Sequence, residues 1–250
     1  MVQWFGKETL QEVIVFKSAS ERKILKIILI IFILGVCYWA TRLLNLKIIP
    51  IFTDEAIYLR WGQIAVADPR WRFISLIDGK QPLLIWLFLP VLKTFSDPLV
   101  AGRLVSIFCG FLSVIGLVLF GYVSTKSIRV AATTGFLYLI IPFFFVYDRL
   151  AIYDGLLTTI SIWSLFFSYI FANRQKLDSA LLLGTVIGAG LLTKSSANFF
   201  WYLLPLTLLL VSWEKNKFQK TFITWMFLSF VVVIQSQIYN AILRLSEFRH

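Results

Sequence analysis

Thr53-Asp54-Glu55, Asp78-Gly79-Lys80 and Tyr153-Asp154-Gly155 set ionisable residues at the edges of long apolar runs that are otherwise almost free of charge. A chain dissolved in lipid holds such groups at low cost only in water, in a cavity or against a partner. Carboxylates can take up protons and cations can hold anions, so their joint placement points to one polar site assembled from separate segments. The only histidine is His250, the last residue. That excludes a Ser-His-Asp triad and a histidine-rich zinc site, and leaves acid–base chemistry to carboxylates, Lys or Tyr.

The elements that must position these groups follow from composition. The chain is 59% hydrophobic and 15% charged, with a mean hydropathy of +0.82. A water-soluble domain needs far more polar surface, so the class is an all-α integral membrane protein. The net charge of +11 is dispersed in short clusters between apolar runs and lines no single face. It reads as topogenic and lipid-facing charge, not as a nucleic-acid surface. Cys37 and Cys109 lie inside apolar runs and imply no disulfide framework.

Residues 1–23 mix Trp4, Phe5, Leu10, Val13, Ile14 and Phe16 with Lys7, Glu8, Glu12 and Lys17, which suits a cytoplasmic helix on the membrane surface. Residues 24–250 form the polytopic domain. Ile24 to Leu46 is long enough to span, and Arg22, Lys23 and Lys26 place its start in the cytoplasm. Lys47 to Pro98 is then a long first outer loop carrying interfacial helices, with the apolar stretch Pro82 to Leu92 too short to span comfortably. Further spans are expected over 99–123, 130–147, 155–172, 177–193, 199–212 and 221–241. Ser96-Asp97-Pro98 is a helix-start signal before the first of these. Lys126, Arg129, Arg174, Lys176, Lys215, Lys217 and Lys220 mark the inner turns. The expectation is about seven transmembrane helices with the N-terminus inside.

This topology places Asp54, Glu55, Asp78, Lys80, Asp148, Arg149, Asp154 and Lys194 on the outer side. The spans hold no acidic residue at mid-depth, which argues against an ion-coupled transporter and for chemistry at the outer rim. Each residue also has a plainer reading. Thr53, Asp54 or Asp154 could cap the helix that follows, and Lys80, Arg149 or Lys194 could be snorkelling anchors.

Four segments carry a resemblance. Thr53-Asp54-Glu55-Ala56-Ile57-Tyr58, after a first span, resembles the opening of the first outer loop in GT-C membrane glycosyltransferases. The branches it is most similar to are the protein O-mannosyltransferases and the bacterial aminoarabinose (lipid A) and arabinosyl/mannosyl transferases. Gly79-Lys80-Gln81-Pro82-Leu83 is similar to their Lys-Pro-Pro-Leu element, with Gln81 in place of the first Pro. Arg149-Leu150-Ala151-Ile152-Tyr153-Asp154 matches an Arg-x-Ala-x-x-Asp element. Gly190-Leu191-Leu192-Thr193-Lys194 loosely matches a Gly-Leu-x-x-Leu-Thr-Lys-like stretch. Relatives are commonly longer, so the chain resembles their N-terminal membrane core without the C-terminal half.

The resemblance implies an inverting hexosyl- or pentosyltransferase of the cell membrane, with its active site on the outer face. It implies a sugar donor on a polyprenyl phosphate and a protein, lipid or glycan acceptor, both met at the bilayer, with no nucleic-acid partner. On it, Asp54 is the catalytic base, Glu55 orients or assists, and Asp154 positions sugar or acceptor. Lys80, then Arg149, would hold the donor phosphate, while Asp78, Asp148, Tyr58 and Lys194 line the site. A divalent cation (magnesium or manganese) on Asp54 and Asp154 is left open. The competing readings are a lipid or glycan transporter and a truncated, inactive relative.

Overall fold

The computed structural model describes residues 5–211, 213 and 217–247, with side chains from residue 21 to 243. The surface face read from residues 1–20, Lys215 and His250 lie outside the described residues.

Among the described residues every element is helical. Helix α1 (Phe5–Leu43) runs without a break through the boundary expected at Lys23. A largely apolar, mostly exposed segment (residues 44–52) leads to α2 (Thr53–Ala67), two short 3₁₀ turns (Pro69–Trp71 and Ile74–Asp78) and the apolar α3 (Leu83–Thr94). Then come α4 (Pro98–Thr125), α5 (Ile128–Ile140), α6 (Pro142–Tyr147), α7 (Tyr153–Arg174), α8 (Leu177–Leu191), α9 (Phe199–Leu203) and α10 (Phe218–Glu247).

Among the described residues four stretches are long and apolar enough to cross a membrane: Glu21–Leu43, Pro98–Thr125, Tyr153–Arg174 and Phe218–Leu243. The other expected crossings are shorter apolar helices. The one over 130–147 breaks at Ile141-Pro142, because proline supplies no N–H to the preceding turn and begins a new helix instead. The one over 199–212 splits into α9 and a 3₁₀ turn, Leu204–Leu210, with Pro205 in its first turn.

Local chemistry explains the starts and stops. Asp97 accepts the N–H groups of Leu99 and Val100 ahead of Pro98, so the expected start signal does open α4. Lys126 and Gln175 end α4 and α7 in the left-handed conformation, the usual way to stop a helix. Among the described residues the core lies in three clusters. The first packs α2, α3 and the start of α4 against Leu150, Ala151, Ile152 and α7. The second joins α7, α8 and α10, where Gly184 and Gly188 let α8 lie against Gln235 and Tyr239. The third joins α1, α4 and α5. The first cluster is the platform under the polar groups.

Candidate active site

A cleft of about 250 Å³ opens above that platform. Helix α2 contributes Asp54 and Tyr58 from its first turns. The loop before α3 contributes Gly79, Lys80 and Gln81, α7 contributes Tyr153 and Asp154, and the turn after α8 contributes Thr193, Lys194, Ser195 and Ser196. Four segments far apart in sequence therefore meet, and Asp54, Lys80, Asp154 and Lys194 share one end of the bundle. Helix α7 runs from this cleft to Arg174 over 22 residues, about 33 Å at the α-helical rise, so Arg174 belongs to the opposite end.

Neither cleft carboxylate is a helix cap. Helix α2 begins at Thr53 with Phe52 as its cap residue, and Asp54 lies in the first turn. Asp54 Oδ2 accepts the Tyr58 hydroxyl at 3.3 Å. Burial, then the Asp54 charge, raises the Tyr58 phenol from its usual 10.0 to about 12, with Asp154 and Asp78 adding to the effect. Tyr58 is therefore a fixed donor at neutral pH. Asp154 likewise sits inside the first turn of α7, whose cap residue is Ile152. Its Oδ1 meets Lys194 Nζ at 2.9 Å, with both side chains 42% exposed.

Lys80 is held by its backbone. Gly79 takes a left-handed conformation (φ +66°), which glycine adopts without steric cost, and closes the Ile74–Asp78 turn. The Lys80 N–H then returns to the Ser75 carbonyl at 3.0 Å, and three residues on the Leu83 N–H reaches the Leu192 carbonyl at 2.8 Å. The Lys80 ammonium has no ion-pair partner among the described residues. Lys194 is committed to Asp154, so Lys80 is the cation in the cleft open to an anion.

Four expected site residues do not line the cleft. Glu55 is fully buried and turned away from it. Its carboxylate accepts Arg103 Nε and Nη2, each at 2.8 Å, the Ala151 N–H at 2.8 Å, and the Phe52 N–H at 3.3 Å. Arg149 is buried, its Nη2 donating to the Leu44 and Asn45 carbonyls at 2.7 Å. It closes the C-terminal end of α1, where carbonyls lack helical partners. Asp148 lies in a separate buried cluster, accepting the hydroxyls of Tyr38 at 3.0 Å and Tyr138 at 2.9 Å near Arg42. Asp78 is exposed beside the cleft, close enough to act on Tyr58 through its charge.

Sequence reasoning missed two groups. Arg103 stands inside a span, and an arginine there is a signal in its own right. Tyr153, next to Asp154, is buried and donates to the Gln81 carbonyl at 2.6 Å. A resident metal fits this donor set poorly. Asp54 and Asp154 each already accept a protein donor, and among the described residues no three His, Cys, Asp or Glu side chains converge as metal ligands.

Residues 79–239 match the model of the dolichyl-phosphate-mannose-protein mannosyltransferase family. The chain belongs to this family. It is accordingly a membrane protein of the mannosyltransferase-like, GT-C class of glycosyltransferases. Lys80, Tyr153, Asp154 and Lys194 fall inside the matched region, whereas Asp54 and Glu55 precede it. No curated protein and no solved structure matches the chain.

Proposed function

We propose that the cleft is the active site of an inverting glycosyltransferase that takes a sugar from a polyprenyl phosphate. The observation carrying this reading is the convergence on one cleft of a carboxylate, Asp54, and an uncommitted cation, Lys80. An acceptor hydroxyl attacks the anomeric carbon, a new glycosidic C–O bond forms, and the bond from that carbon to the phosphate oxygen breaks. The hydroxyl proton passes to Asp54, and the electron pair leaves with the phosphate, whose growing charge Lys80 stabilises. Tyr58 occupies one Asp54 oxygen and leaves the other to take the proton. The Asp154–Lys194 pair presents an acceptor and donors to sugar hydroxyls.

The topology that serves this chemistry has about seven crossings, a cytoplasmic N-terminus and the cleft on the outer face of the cell membrane. A donor too apolar to leave the bilayer would reach such a cleft laterally. Acceptors fitting the reading are hydroxyls of protein, lipid or glycan.

The test is transfer from a radiolabelled polyprenyl-phosphate sugar, alongside donor binding to the same membranes. Asp54→Asn keeps shape but not proton uptake, and should lower turnover by about 10² or more with donor binding intact. Lys80→Ala should weaken binding and turnover together. Unchanged turnover in Asp54→Asn would overturn the assignment of the base.

A further inference from the structure

Tyr153 has a hydroxyl whose bond the chemistry above does not use. The side chain is 3% exposed. Its hydroxyl donates to the backbone carbonyl of Gln81 at 2.6 Å, and its ring meets the Tyr58 ring edge-on at 4.8 Å between centroids. Lys80 is the residue immediately before that carbonyl, and its own N–H is bound to Ser75. The peptide segment bearing Lys80 is thus fixed on one side by Ser75 and on the other by Tyr153.

From this arrangement we infer that Tyr153 is a positioning residue for the donor phosphate, acting through the Gln81 carbonyl to place the Lys80 ammonium. The inference rests on the proposed function. The first turn of α7 then governs both cleft cations: Asp154 holds Lys194 directly, and Tyr153 holds Lys80 through the chain. The second contact of Tyr153 leads to Tyr58 and so to Asp54. One buried ring therefore sets the spacing between the phosphate-binding side and the base side. A long, flexible ammonium stem gains phosphate affinity when its backbone is fixed beforehand, since less freedom is lost on binding. The backbone carbonyl is present whatever residue stands at 81, so the device is independent of the Gln81 side chain.

Tyr153→Phe keeps the ring and removes the hydroxyl. Purified protein is titrated with a polyprenyl monophosphate and, separately, with the same prenol lacking phosphate. Tyr153→Phe is expected to weaken phosphate binding about tenfold while leaving prenol binding unchanged. The ratio of the two affinities, taken within one sample, does not depend on how much of the variant is folded. In Lys80→Ala, adding Tyr153→Phe should change that ratio no further, because the hydroxyl acts through the lysine. An unchanged ratio in Tyr153→Phe, or equal losses with and without Lys80, would overturn the inference. Wild-type protein that does not distinguish polyprenyl phosphate from prenol would instead overturn the proposed function.

Discussion

Glu55 and Arg103 form an ion pair whose side chains are both 0% exposed, with Arg103 Nη2 2.8 Å from Glu55 Oε2. Arg103 also donates through Nη1 to the Leu46 and Ile49 carbonyls, at 2.6 and 3.0 Å, and through Nη2 to Pro50 at 3.3 Å. Glu55 accepts the Ala151 N–H. The pair therefore ties the segment after α1, the first turn of α2 and the approach to α7 into one unit. Asp54 adjoins one end of that unit at Glu55, and Asp154 lies three residues past the other at Ala151.

Arg103→Lys keeps the charge but not the fork that reaches a carboxylate and three carbonyls at once. Lysine's single ammonium leaves some of these buried acceptors unpaired, each at a cost of about 1–3 kcal/mol, so the variant should lose about 2 kcal/mol or more of stability. Thermal melting of detergent-purified protein measures it. Melting identical to wild type would mean that the network is not a structural tie.

Cysteine substitutions in a background lacking Cys37 and Cys109 check the topology. An impermeant thiol reagent added to intact cells should label positions 80 and 194 and spare positions 126 and 174. The reverse pattern would place the cleft on the inner face and exclude transfer at the outer one.

Tyr58 gives a pH signature. Its phenol is raised from 10.0 to about 12 in the folded protein, chiefly by burial and then by Asp54. A raised value adds stability that is complete below the unfolded pKa and fades as pH climbs toward the folded one. Tyr58→Phe lacks this titration. It should lose less melting temperature than wild type between pH 10 and 12, and identical losses would show that Tyr58 ionises freely.

The amino-acid sequence by itself determined the membrane class, because hydropathy summed over about 20 residues needs no tertiary partner. It likewise determined the α4 start at Asp97-Pro98 and the confinement of acidic residues to the ends of the spans. Those are local properties of composition and spacing. The tertiary structure decided which of two adjacent acids faces the cleft. Successive side chains on a helix diverge by about 100°, so Asp54 and Glu55 could not both point there. The choice is made by Arg103, 48 positions away in sequence. Likewise Asp154 meets Lys194 across 40 positions, and Arg149 turns to carbonyls at the end of α1. Two charged residues of the same type and exposure class in sequence are told apart only by long-range partners. The pattern along the chain marks where charge is allowed, and packing assigns each charge its use.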